Sequence, residues 1–93
     1  MREKEIEQKL VREVRRSGGI SPKFVSPGMR GMPDRIVLMP KGRVYFVELK
    51  RPGAKPGPLQ TARHEMLREM GFRVYVVDSA EKVMEVINEI RTT

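Results

Sequence analysis

Residues 35–50 read Arg35-Ile36-Val37-Leu38-Met39, then Pro40-Lys41-Gly42, then Arg43-Val44-Tyr45-Phe46-Val47-Glu48-Leu49-Lys50. Two runs rich in β-branched and aromatic residues flank a short segment containing proline and glycine, the pattern of a β-hairpin. With a three-residue turn, Met39 faces Arg43, and counting back along antiparallel strands sets Asp34 opposite Glu48. Opposed Cβ atoms lie about 4.5–5.5 Å apart. Side chains alternate along a strand, so Glu48 and Lys50 share one side and Leu49 takes the other. Two carboxylates that close repel each other unless a divalent cation lies between them, roughly 2.0–2.2 Å from oxygen.

The flanking sequence extends the hairpin into an α/β fold. Downstream, Arg51 to Pro58 holds three prolines and two glycines and reads as a loop. Leu59 to Met70 follows as a helix ended by Gly71, then Arg73 to Val77 as a strand. Asp78-Ser79 is a capping pair before a last helix, Ala80 to Arg91, with Val83, Val86, Ile87 and Ile90 inward. The helix from Leu59 acts as a crossover, so the strand at Arg73 should run parallel to the one at Arg43. Upstream, Ile6, Leu10, Val11 and Val14 recur at helical spacing within Glu3 to Arg16, and Ser17-Gly18-Gly19 stops that helix. Lys23 to Ser26, between Pro22 and Pro27, reads as an edge strand. The expected order is helix, strand, strand, strand, helix, strand, helix: a small mixed sheet flanked by helices, in one domain spanning 1–93.

Composition narrows the chemistry. With no cysteine and one histidine, His64, disulfides, thiolate zinc sites and multi-histidine metal centres are excluded. A bound metal must then be held by oxygen, which favours Mg²⁺ or Mn²⁺. No apolar stretch approaches the roughly 20 residues of a membrane span and no signal-peptide pattern opens the chain, so an intracellular location is expected. The net charge of +7 points to a polyanionic partner, against the plainer reading of a solubilising surface. Residues 1–16 carry six basic and four acidic groups, 17–57 eight and two, and 58–93 five and six. The excess thus concentrates in the middle segment, around Asp34 and Glu48.

That juxtaposition suits phosphodiester hydrolysis. Asp34 and Glu48 would fix the cation, while the Lys50 ammonium orients the attacking water or stabilises charge at phosphorus. Glu7 on the first helix, or Glu3 one turn earlier, is a candidate to complete the shell. Arg30, Arg35, Arg51 and Lys55 flank the site and are candidates for phosphate contacts. Taken singly, each has a plainer explanation: Glu48 and Lys50 as a surface ion pair, Asp34 as a turn residue after proline, the arginines as solvated charges. Tyr45, Phe46, Phe24 and Tyr75 read as sheet packing rather than base-stacking platforms. Met66, Met70 and Met84 fit helix packing or a dimer interface. His64, between Arg63 and Glu65, reads as a surface residue.

Gly31-Met32-Pro33-Asp34, then Glu48-Leu49-Lys50, then Gln60 early in the next helix, resemble the virus-type replication-repair nuclease (VRR-NUC) branch of the PD-(D/E)XK nucleases, over Glu3 to Ile90. The resemblance implies the αβββαβ core of that superfamily. It implies Asp34 and Glu48 as metal ligands with the Leu49 carbonyl, Lys50 as catalytic lysine, Gln60 as a polar residue near the active site, and Glu7 (or Glu3) as the first-helix carboxylate. It further implies a DNA endonuclease leaving 5′-phosphates, with branched DNA such as Holliday junctions among its substrates. A homodimer and a role in replication, recombination or repair belong to the same expectation, as does a possible viral or phage source. Two rivals stand beside it. One is a binding module of the same fold that grips nucleic acid without cutting, for which retaining Asp34, Glu48 and Lys50 together would be unnecessary. The other is a small basic RNA-binding protein, which would want interleaved aromatics this sequence lacks.

Overall fold

A computed structural model describes residues 1–93, and the hairpin at its centre has the register counted from sequence. Strand β1 (Arg35–Met39) runs antiparallel to β2 (Arg43–Leu49), paired from Met39 with Arg43 through Arg35 with Val47. One step further sets Asp34 beside Glu48. The connection is a single 3₁₀ turn, Pro40–Gly42, in which Lys41 and Gly42 both take positive φ, 68° and 71°. Strand β3 (Arg73–Val77) pairs parallel with β2 on its other side, giving the order β1-β2-β3. The crossover between them is helix α2 (Pro58–Glu69), which starts one residue before the expected Leu59, with Pro58 at a position where no amide hydrogen is needed.

Both faces of β2 are covered, so it is buried from Tyr45 to Leu49. On one face Val37, Met39, Tyr45, Val47 and Leu49 pack against Ile6, Leu10 and Val14 of helix α1 (Glu3–Arg16) and against Val83, Val86, Ile87 and Ile90 of helix α3 (Ala80–Arg91). On the other, Phe46 and Val74 pack against Leu67 of α2. Glu48 follows Phe46 on this second face, and strand alternation therefore carries a carboxylate beneath α2. The Ser79 hydroxyl caps α3 by accepting the Lys82 amide at 3.0 Å, and the Arg43 guanidinium closes its far end on the Ile90 carbonyl at 2.8 Å.

The edge strand expected over Lys23–Ser26 does not form. The segment that lies antiparallel to β1 is Ile20–Phe24, joined to it only by isolated bridges at Ile20–Leu38 and Lys23–Arg35. Ile20 and Leu38 exchange both backbone hydrogen bonds, the Ile36 amide donates to the Pro22 carbonyl at 3.2 Å, and the Phe24 amide donates to the Asp34 carbonyl at 2.8 Å. Pro22 has no amide hydrogen to return, so the ladder is interrupted in its middle. Gly19 brings this edge close, since a Cβ there would collide with the Leu38 carbonyl and the Met39 sulfur. The sheet proper has three strands, and the first strand of the expected order is this broken edge.

Candidate active site

The end of the sheet opposite the hairpin turn gathers Asp34, Glu48, Lys50 and Gln60. Asp34 leads into β1, and its Oδ2 accepts the Leu49 amide at 2.9 Å, which fixes the carboxylate against the neighbouring strand. Upstream of it, Gly31 has a φ of 84°, and a Cβ there would meet Leu59 of α2 at 2.9 Å. A glycine is therefore required where the Gly31-Met32-Pro33-Asp34 turn passes under the helix.

Glu48 is 1% exposed and held from two sides. Its Oε2 receives the Lys50 ammonium at 3.1 Å and the Gln60 side-chain amide at 2.8 Å. The orientation of Gln60 is fixed because its carbonyl oxygen accepts the Gly57 amide at 3.0 Å, at the first turn of α2, leaving its NH₂ to face Glu48. Glu48 Oε1 is buried without a hydrogen-bond partner. Nε2 of His64 lies 4.0 Å away, equally unpartnered and beyond hydrogen-bond range. Burial pushes the Glu48 pKa above its ordinary value, the Asp34 and Glu3 charges push the same way, and Lys50 only partly offsets them. Burial, with Arg68 and Lys50 nearby, holds the His64 pKa below its ordinary value.

His64 corrects the expectation of a surface residue: it is 2% exposed. Its neighbours Arg63 and Glu65 point elsewhere, while Gln60, His64 and Leu67, spaced by four and three, share the face of α2 that meets the sheet. That spacing was readable in the sequence.

No third aspartate, glutamate or histidine joins Asp34 and Glu48 in a cluster of metal-binding size. The donor set nevertheless fits a hard divalent cation. Mg²⁺ is commonly held by one or two carboxylates with waters making up the shell, and Glu48 Oε1, buried without a hydrogen-bond partner, is a group such an ion would satisfy. Glu3 and Glu7 of α1 line the same cleft as Asp34 and Leu49, together with Lys23, Phe24 and Val25, around about 350 Å³. They form its wall. Glu7 is engaged by Arg35, whose Nε and Nη2 both lie 3.0 Å from Oε2, whereas the Glu3 carboxylate is exposed.

The basic candidates are dispersed. Arg35 is 14% exposed, spent on Glu7 and on the Ser21 carbonyl at 2.8 Å. Arg30 and Arg51 are exposed, and the Arg30 carbonyl accepts the Arg63 guanidinium at 2.9 Å. Lys55 borders a separate hollow with Asp78 and Lys82. Tyr45 and Phe46 are buried as expected, and Met84 packs on the main core while Met70 is exposed.

The chain resembles known proteins in sequence and in fold. The VRR-NUC domain family matches residues 25–81, which hold Asp34, Glu48, Lys50, Gln60 and His64. A protein of Acyrthosiphon pisum secondary endosymbiont phage 1, named "Putative nuclease p44", is 53% identical over 81 residues, covering 87% of each chain. A solved structure titled "VRR_NUC domain" superposes with a TM-score of 0.86 at 33% identity, over 92% of this chain and 94% of that one.

Proposed function

This chain belongs to the VRR-NUC domain family, and from that membership we propose that it is a nuclease that cuts DNA internally with a divalent cation, Mg²⁺ or Mn²⁺, held between Asp34 and Glu48. The observation that carries this reading is the convergence on one carboxylate: Glu48 lies opposite Asp34, one step beyond the Arg35–Val47 pair, and receives both Lys50 at 3.1 Å and Gln60 at 2.8 Å.

Asp34 and Glu48 would supply the charged ligands, with the Leu49 carbonyl beside them. A cation bound there supplies the Lewis acidity that neutralises a phosphate oxygen and acidifies water. Lys50, 19% exposed and paired with Glu48 at 3.1 Å, would turn toward the incoming phosphate and offset the charge that develops as a water oxygen bonds to phosphorus. The bond to the 3′ oxygen then breaks with its electron pair on that oxygen, which takes up a proton as the attacking water gives one up, leaving a 5′-phosphate and a 3′-hydroxyl. Gln60 holds Glu48 in place, and the exposed Glu3 or the Arg35-paired Glu7 stands at the cleft wall as the first-helix carboxylate. Arg30, Arg51 and Lys55 are assigned to outlying phosphates. Branched DNA is the preferred substrate class in this reading, cut by a two-fold homodimer with one site per strand.

Plasmid and branched DNA incubated with Mg²⁺, Mn²⁺ or EDTA test the reading. Cleavage should require metal and fall at least 100-fold in Lys50→Ala. Binding by both proteins without cutting under any metal would replace it with the non-catalytic module, and a preference for RNA would replace the substrate.

A further inference from the structure

We infer that the solvent face of α1, together with Lys23, is a phosphate track that carries the DNA backbone away from the cleft at Asp34. The inference rests on the nuclease reading and deepens it by naming the surface that takes the substrate. Lys4, Arg12 and Arg15 lie on one stripe of α1, spaced by eight and three, and with Lys23 they line a groove of about 530 Å³. The groove shares Glu7 and Lys23 with the cleft that holds Asp34, so the two adjoin. A third hollow, bordered by Arg15 and Pro22, extends it along the broken edge.

Four features separate this groove from an ordinary solvated helix face. All four cations are exposed, and none has an ion-pair partner, although α1 carries four glutamates. Those acids are turned to other uses or positions: Glu5 caps the helix start, Glu13 pairs with Arg16, and Glu3 stands at the cleft wall. The one acid inside the groove, Glu7, is neutralised by Arg35. The dimensions also match. Lys4 to Arg15 spans roughly 16 Å of helix, the axial length of about five phosphates on one strand. Segment sums of charge hide this surface, because they count the α1 glutamates against cations that face elsewhere.

The test is fluorescence anisotropy with a labelled 30-mer duplex in EDTA, comparing the natural chain, Lys4→Gln/Arg12→Gln/Arg15→Gln, and Lys41→Gln/Lys82→Gln/Arg91→Gln, which removes equal charge from other surfaces. The α1 variant should bind about 10- to 100-fold more weakly at 0.1 M salt, with its log–log salt slope reduced by about 3, while the second variant stays within a few-fold of the natural chain. Circular dichroism confirms that each variant is folded. Equal losses in both variants would reduce the effect to net charge and overturn the track, as would an α1 variant that binds DNA normally but no longer binds mixed phosphatidylcholine and phosphatidylserine vesicles. Cleavage by the natural chain is scored separately. Normal cleavage with an unaffected α1 variant sinks the track alone, and selective loss of binding without cleavage in any metal sinks the nuclease reading alone.

Discussion

At the scale of single residues, Glu48 sets burial against ionisation. Its folded pKa lies above the unfolded value of 4.5, so the protein binds the extra proton more readily when folded. The associated stability is present below pH 4.5 and lost as pH rises through the folded pKa. A neutral isostere removes that loss. Glu48→Gln in EDTA should therefore melt a few degrees higher than the natural chain at pH 8, with the gap closing toward pH 4, while abolishing cleavage; differential scanning calorimetry reads the first and the plasmid assay the second. A lower melting temperature at pH 8 would show that the Lys50 ion pair outweighs burial. The juxtaposition of the candidate residues is legible in the sequence because strand alternation and hairpin register are simple counts: they set Asp34 beside Glu48 and put Lys50 on the Glu48 side. The burial of His64 runs against its charged chain neighbours, and its only signal in the sequence is its spacing of four and three from Gln60 and Leu67 on the sheet-facing side of α2.

At the scale of elements, α2 does more than cross between β2 and β3. Its first turn ties the Gly57 amide to Glu48 through one side chain, Gln60. Gln60→Ala should lose about 1 kcal/mol of stability, as for other lost caps, and lower cleavage at unchanged DNA affinity. Gln60→Glu keeps the acceptor for Gly57 but sets a like charge against Glu48, so it should be the worse of the two in cleavage and recover partly at lower pH. Ser79→Ala, far from these groups, should cost about 1 kcal/mol, a fall of about 4–8 °C in melting temperature, and leave cleavage intact. Helices and strands with strong apolar periodicity, such as α1 and α3, were readable to within a residue of their ends. The edge before β1 pairs over Ile20–Phe24 rather than Lys23–Ser26, because the bare Gly19 lets the chain approach Leu38 closely, a contact that the β propensity of Phe24 and Val25 does not signal.

At the scale of the whole molecule, charge and metal are the two global terms. The segment sums put the positive excess near the hairpin, yet folding turns Arg35 and Arg43 onto Glu7 and a helix end and exposes the cations of α1 instead. No helix is long and apolar enough to cross a membrane. For a homodimer, solution scattering mass should correspond to two chains at assay concentration, and a mass of one chain there would remove the two-fold arrangement from the account. The assignment of Asp34 and Glu48 to a shared cation is most directly tested by thermal melting with Mn²⁺ at constant ionic strength, because an ion that binds only the folded state raises its stability. The natural chain should melt progressively higher as Mn²⁺ is added, and Asp34→Asn and Glu48→Gln should each lose that rise. Equal rises in all three proteins, or none in the natural chain, would contradict it.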